Sequence, residues 1–171
     1  MKKTLLLSLT LIFVGLLQAQ TKVGTTAANF LTIPVGPRAT GMGGAFTAIA
    51  NDATTAFWNA GGLSRVPRSE LTFAYTEWLV ETKFNWLGFV FKLDEDNAFS
   101  LFVNQLDYGE ENVTVPGQEM GTGEKWRAED IVFGLSYGRN LTDRFSIGGT
   151  VKYISQSIWN ESATAFAIDV G

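Results

Sequence analysis

The chain has 171 residues, of which 13 are basic and 17 acidic, and it contains neither histidine nor cysteine. A net charge of −4 excludes the basic footprint that nucleic-acid binding needs, and the missing residue types remove the commonest general base, the commonest transition-metal ligand, disulfides and thiolate chemistry. With 13% aromatic residues, 18 glycines and only 18% charged residues, the composition points to a β-rich protein with much apolar surface to place.

The chain opens MKKTLLLSLTLIFVGLLQAQ, with Lys2 and Lys3 ahead of an apolar run from Leu5 to Leu17 and small Ala19 ahead of Gln20 and Thr21. That layout predicts a secretory signal peptide over residues 1–19, cleaved after Ala19, because the apolar core is too short for a transmembrane helix. Leu17, three positions before the cut, is larger than ideal, and an uncleaved N-terminal anchor is the alternative. Removal of Lys2 and Lys3 leaves 11 basic residues against 17 acidic, a net charge of −6.

Residues 20–68 form the next unit, built around GPRATGMGGAFTAIANDATTAFWNAGGL from Gly36 to Leu63. Its glycines do not make a phosphate cradle: in GMGGAF, Phe46 stands where the third glycine of a dinucleotide fingerprint belongs, no Walker lysine follows, and no βαβ unit surrounds it. The pattern predicts two short helical turns, Ala45 to Ala50 and Ala53 to Trp58, with Asp52 capping the second and Gly61-Gly62 ending it. Small residues of this kind suit close backbone packing in a confined space. Arg38, nearly alone in an apolar stretch, is expected to pair with a carboxylate such as Asp52 or Asp169, with an anionic headgroup as the weaker alternative. Asn59 reads either as a turn residue closing a short helix or as part of a gate.

From residue 69 to 171 the pattern changes to alternation. Leu71, Phe73 and Tyr75 oppose Thr72, Ala74 and Thr76; Leu87, Phe89 and Phe91 oppose Gly88, Val90 and Lys92; Phe99, Leu101 and Val103 oppose Ser100, Phe102 and Asn104. Ile131, Phe133, Leu135 and Tyr137 oppose Gly134, Ser136 and Gly138, and two further segments repeat the theme around Val151-Tyr153 and Phe166-Ile168. Period two across six segments predicts six antiparallel strands. A soluble sandwich would carry Lys, Glu and Arg on its second face, whereas here that face is mostly Gly, Ala, Ser and Thr; large apolar residues then suit lipid and small ones a lumen. Strands of roughly 9–12 residues match a tilted membrane span. Tyr75, Trp78, Trp86, Tyr137, Tyr153 and Trp159 fall toward strand ends, where interfacial girdles are expected, although for any one of them taken singly an ordinary core position is the better reading.

The connections agree with a membrane barrel. The second and fourth connections, Asp94 to Asn97 and Arg139 to Arg144, are short, and the first and fifth, near Val80–Lys83 and Ser157–Ser162, are short to medium. The third, Asp107 to Asp130, is long, polar and glycine-rich, so the one long loop is odd-numbered and would face outside if the first strand rises from the periplasm. Glu110, Glu111, Glu119 and Glu124 in that loop are too irregularly spaced for a calcium site and read as a solvated surface. Six strands are too few to close the usual barrel, which begins at about eight. The expectation is therefore the first part of a longer barrel, with a small complete six-stranded sheet as the alternative.

The stretch GPRATGMGGAFTAIANDATTAFWNAGGL, following a signal peptide and the lead-in GTTAANFLTIPVG, resembles the N-terminus of PorV/PorQ-type outer-membrane proteins, relatives of the FadL long-chain fatty-acid transporters of Gram-negative lineages. The residues that carry it are Arg38, Gly41, Met42, Gly43, Gly44, Ala45 and Phe46, then Asp52, Ala53, Trp58 and Asn59; the strands match in pattern only. Two departures stand out: Asn59-Ala60-Gly61-Gly62 replaces the usual Asn-Pro-Ala-Gly, and Pro37 replaces a small residue. The resemblance implies an all-β transmembrane antiparallel barrel of 14 strands, about six of them here, with an N-terminal short-helical hatch. It further implies a non-enzymatic protein with no cofactor and no metal, placed in outer-membrane lipid. Its partners would be subunits of the type IX secretion system and secreted cargo, or, on the FadL reading, a hydrophobic ligand. The implied hatch and gating residues are Arg38, Gly41, Gly43, Gly44, Asp52 and Asn59. A soluble exported β-sandwich enzyme is the third reading, weakened by the missing His and Cys.

Overall fold

The computed structural model describes residues 27–171, so the expected signal peptide over residues 1–19 lies outside the described residues. The strands are β1 (Glu70–Glu77), β2 (Lys83–Lys92), β3 (Asn97–Asn112), β4 (Lys125–Thr142), β5 (Phe145–Ile158) and β6 (Glu161–Val170). They form one antiparallel meander in the order β1-β2-β3-β4-β5-β6, and β6 does not return to pair with β1. The fold is all-β, as the alternation predicts.

Register turns that alternation into continuous rows. On one face Leu71, Phe89, Leu101, Leu135, Val151 and Ile168 are cross-strand partners in sequence across all six strands. The neighbouring row is Phe73, Leu87, Val103, Phe133, Tyr153 and Phe166. On the side of the short turns, Phe91, Phe99, Tyr137, Gly149 and Val170 make a third. Apart from the partly covered Val103 and Gly149, these residues are exposed, Phe73 at 64%, Leu101 at 60% and Phe166 at 78%. The opposite face is the covered one, with Val90, Ser100, Ser136 and Thr150 buried in one row and Trp86, Asn104, Val132 and Ile154 in another. The sheet therefore exposes rows of large apolar side chains and covers a mixed face, in which Ser100, Ser136, Thr150 and Asn104 stand beside Trp86, Phe102, Val132 and Ile154, whereas the exposed face of a soluble sheet is polar.

The N-terminal segment lies on that inner face. A 3₁₀ turn (Asn29–Thr32), two short helices (Pro37–Gly41 and Thr55–Trp58) and a 3₁₀ helix (Ala60–Arg65) lead into β1. Phe30, Val35, Ala53, Ala56, Leu63 and Val66 from this segment share one buried cluster with Phe84, Trp86, Val90, Phe102, Leu106 and Val132 of the wall. Pro37 occupies the first position of its helix, where its fixed φ and missing N–H are tolerated.

Several details differ from the sequence reading. Ala45 to Ala50 is a series of turns rather than a helix, and the first helix stands earlier, at Pro37–Gly41. Gly61 and Gly62 do not end a helix. Asn59 ends it, with φ −165°, and both glycines sit inside the following 3₁₀ helix. They are glycines because space demands it: a Cβ on Gly61 would meet the Gly171 carbonyl carbon at 2.9 Å, and one on Gly62 the Ala50 oxygen at 3.0 Å. Trp86 is 1% exposed on the inner face and belongs to the core, the better reading for any one girdle candidate taken singly, so it drops out of the girdle set. The long third connection is mostly strand, because Glu110, Glu111 and Asn112 pair with Arg127, Trp126 and Lys125 beyond a bulge after Asp107, leaving residues 113–124 as the loop. The strands accordingly reach 16 residues in β3 and 18 in β4.

Candidate functional site

Two features of the inner wall fix where the N-terminal segment sits. Gly138 and Gly148 are register partners on β4 and β5, and together they make a flat seat for the 3₁₀ helix. A Cβ on Gly138 would come within 2.5 Å of the Ala60 oxygen, and one on Gly148 within 2.3 Å of the same carbonyl group and 2.5 Å of the Gly61 nitrogen. No side chain fits there. Beside the seat, Ser64 Oγ and Asn140 Oδ1 are 2.7 Å apart, the Lys92 ammonium donates to the Ser64 carbonyl, and Arg65 Nη2 donates to the Arg144 carbonyl at 3.4 Å. All these wall residues lie at the end of the sheet that carries the short β2–β3 and β4–β5 turns.

The residues singled out from the sequence form the body of the segment above that seat. Arg38 Nη1 donates to Asn51 Oδ1 at 2.7 Å and approaches Asp52 Oδ2 at 3.3 Å, while its guanidinium carbon lies 5.2 Å from the centre of the Phe46 ring. Of the two expected carboxylates, Asp52 is the partner; Asp169 instead pairs with the inner-wall cation Lys152 at 2.5 Å. Thr54, not Asp52, holds the cap position of the second helix, and Asp52 closes the turn just before it: its Oδ1 accepts from the Thr54 N–H at 2.9 Å, and its own N–H donates to Thr55 Oγ1 at 3.2 Å. Gly43 and Gly44 have φ of +64° and +80°, and the Gly44 N–H closes the first helix by donating to the Ala39 carbonyl at 2.9 Å. Gly41 ends that helix in open space and makes no close approach. Asn59 is a clasp: Oδ1 accepts from the Gly61 N–H at 3.0 Å, and Nδ2 donates to the Thr47 carbonyl at 3.1 Å. Phe46, buried, packs edge-on to Trp58 with centroids 6.0 Å apart, and Trp58 Nε1 donates to the Val35 carbonyl at 3.0 Å. Arg38, Gly44, Asp52 and Asn59 thus belong to one small folded body. The structure brings them together through Phe46 and Trp58 rather than around a shared cavity.

Clefts flank this body on both sides. One of about 470 Å³ lies between Pro34-Gly36-Pro37 and Phe73 to Thr76 of β1. The other, about 390 Å³, lies between Phe57, Asn59 and Ala60 and the strand residues Thr150 and Asp169. Asn59 is the one sequence-derived site residue that lines either cleft.

Sequence reasoning missed three parts of the arrangement. The glycine seat was one. The second is the buried Lys152, whose ammonium lies 5.9 Å from the centre of the Phe57 ring and so couples wall to segment. The third is a seam of buried polar groups: Trp86 Nε1, Ser100 Oγ and both amide atoms of Asn104 have no hydrogen-bond partner among the described residues. Trp86 and Asn104 are register partners, so the seam is local. Its signal in the sequence was parity alone, since all three residues fall on inward positions.

A family model described as type IX secretion system protein PorV matches residues 17–170. The match spans most of the chain, and the chain belongs to that family, which makes it a type IX secretion system-associated protein. Curated proteins compared with the chain yield no match.

Proposed function

We propose that this chain forms part of an outer-membrane barrel that binds or shuttles secreted cargo for the type IX system, with residues 20–68 as a hatch and residues 69–171 as wall. The observation that carries the membrane placement is the depth profile of the outer face. Above the three apolar rows comes Tyr75, Asn85, Gln105, Ile131, Ser155 and Thr164, then the polar row Glu77, Lys83, Asp107, Glu129, Ser157 and Ser162. Below them stand Asn97, Arg139 and Ile147. Rows on one face are about 6.7 Å apart along a strand, so the five steps between the outermost rows cover about 33 Å, or about 26 Å along the normal at a tilt near 40°. The lipid-facing band of a transmembrane barrel is about 25 Å tall.

In this reading the loop at residues 113–124 faces outside and the short turns face the periplasm. The hatch is held at the periplasmic end by the glycine seat. Arg38, Gly41, Gly43, Gly44, Asp52 and Asn59 keep it folded as a unit that moves as one, and the unsatisfied seam at Trp86, Ser100 and Asn104 weakens its hold farther up, since each unpaired buried polar group costs about 1–3 kcal/mol. The test is deletion of the gene, with cell-surface cargo and outer-membrane fractions measured together. Loss of secreted cargo, with the wild-type protein recovered in the outer membrane and heat-modifiable on gels, supports the proposal; soluble periplasmic recovery overturns it. A FadL-like carrier of fatty acids or other hydrophobic compounds is the second reading, drawn from the clefts beside the hatch. Intact secretion with impaired uptake of such a compound would favour it.

A further inference from the structure

The upper inner wall holds a cavity that the secretion reading does not use. It measures about 470 Å³ and is walled by Tyr108, Trp126, Ala128, Ile158 and Ala163, with Asp130 and Glu161 as its charged groups. Register explains how it forms. Leu106, Asp130, Gln156 and Ala163 are successive cross-strand partners on the inner face, and Ala128, Ile158 and Glu161 make the next row up. The small side chains of Ala128 and Ala163 leave the space, and aromatic and aliphatic groups line it. The backbone N–H of Ala28 donates to Gln156 Oε1 at 3.1 Å, which puts the N-terminal segment at the cavity's edge.

Asp130 gives the cavity its chemistry. It is 6% exposed, and among the described residues its carboxylate accepts one hydrogen bond, from the Tyr108 hydroxyl at 2.9 Å. A buried carboxylate ordinarily has a cation beside it, because desolvating an ion without a counter-charge is costly. Among the described residues the nearby cations are engaged elsewhere. Arg127 pairs with Asp107 at 2.7 Å on the outer face, Lys125 with Glu110 at 3.2 Å, and Lys152 with Asp169. Among the described residues, no lysine or arginine lines the cavity. An apolar, aromatic space with a buried carboxylate at its floor and a second carboxylate at its rim is complementary to a cation on an apolar stem.

We propose that this cavity binds a lysine or arginine side chain flanked by apolar residues in a peptide segment, with Asp130 as the anchoring charge, Glu161 as the rim charge, and Tyr108 and Trp126 against the stem. The site is independent of the secretion reading and stands or falls without it.

The test uses the full chain folded in detergent micelles and calorimetric titration with acetyl-Leu-Lys-Leu-amide, against acetyl-Leu-norleucine-Leu-amide as the neutral isostere. Saturable binding of the lysine peptide is expected, at least about tenfold tighter than the norleucine peptide, as the hydrogen bond to a charged group implies. Asp130→Asn, which keeps an acceptor for Tyr108, should erase that difference, while Asp169→Asn, in the pair near the other end, should leave it. Should Asp130→Asn fail to fold, Ala163→Leu decides, since filling the cavity from the facing strand should weaken both peptides. Equal binding of the two peptides, no binding of the lysine peptide, a preference that survives Asp130→Asn, or Ala163→Leu without effect overturns the proposal.

Discussion

Substituting Gly148 by alanine tests whether the glycine seat holds the N-terminal segment against the wall. The added Cβ would stand 2.3 Å from the Ala60 carbonyl carbon and oxygen and 2.5 Å from the Gly61 nitrogen, whereas ordinary contact begins near 3.4 Å. All three atoms are backbone, so no rotamer change relieves the clash, and the 3₁₀ helix must retreat by about 1 Å. Overpacking of this kind costs about 1–3 kcal/mol, equivalent to about a 5- to 150-fold rise in the opened population. Amide hydrogen exchange reads it directly: the N–H groups of Gly62 and Val66, bonded to the Asn59 and Leu63 carbonyls, should exchange faster by that factor, while amides in β2 and β3 stay unchanged. Gly149→Ala is the control, one residue along but on the outer face, where its Cβ meets only the Asp169 oxygen at 3.5 Å. If Gly148→Ala and Gly149→Ala exchange alike, the seat is not what holds the segment.

Three further outcomes are expected. Asn59→Ala removes two hydrogen bonds and should destabilise the segment by about 1–3 kcal/mol, with Asn59→Asp intermediate because it keeps the acceptor for Gly61 but not the donor to Thr47; limited proteolysis within residues 43–51 measures both. Leu101→Arg, in the middle of the apolar band, should destabilise the protein refolded in lipid vesicles by about 2–4 kcal/mol, and Gln105→Arg, near the polar border, by about 1 kcal/mol at most; equal effects would remove the depth profile. Asp94, in the turn between β2 and β3, is held below its ordinary value of 3.8 by the Asn97 side-chain amide and then by the Asp96 backbone N–H. A depressed folded value means that its contribution is complete above pH 3.8 and disappears as pH falls through that lower value, so the Asn97 amide resonance should titrate below pH 3.8 and not above it.

What the sequence made legible followed from parity. Six alternating segments fixed which residues share a face, and the small, uncharged second face identified the apolar one as outward, as Leu71, Phe89 and Leu101 are. Trp86 shows why each girdle candidate taken singly is better read as core: nearness to a strand end suggests a girdle, yet its parity with Phe84, Gly88 and Val90 places it inward. The extension of β3 and β4 was hidden for a physical reason: beyond the apolar band both faces of a hairpin are polar, so DYGEEN carries no alternation. The Arg38–Asp52 contact was accessible, being local and nearly the only charge pair in its stretch. Gly138 and Gly148 were not, because their common purpose appears only when β4 and β5 are registered and a carbonyl is laid across them. Asp130 was hidden likewise, its burial depending on neighbours from three other strands.

The inner wall supports the N-terminal segment unevenly, and that bears on both functional readings. At the end of the short turns, the segment is fitted by the glycine seat and bonded to the wall from Ser64 and Arg65, and Lys92 reaches it from β2. Farther up, among the described residues, the contact relies on apolar packing around Phe30 and one hydrogen bond from Ala28, beside wall groups such as Asn104 that these residues leave unpaired. Apolar packing is non-directional and tolerates small displacement, whereas a carbonyl seated between two glycines does not. A segment released from the wall would therefore pivot about residues 60–66 and open first at its upper part, next to the Asp130 cavity. Under either proposed function, cargo exchange or passage of a hydrophobic compound would begin with that same movement, and a variant that loosens the seat would alter it. Only the chemistry of what then enters can separate them.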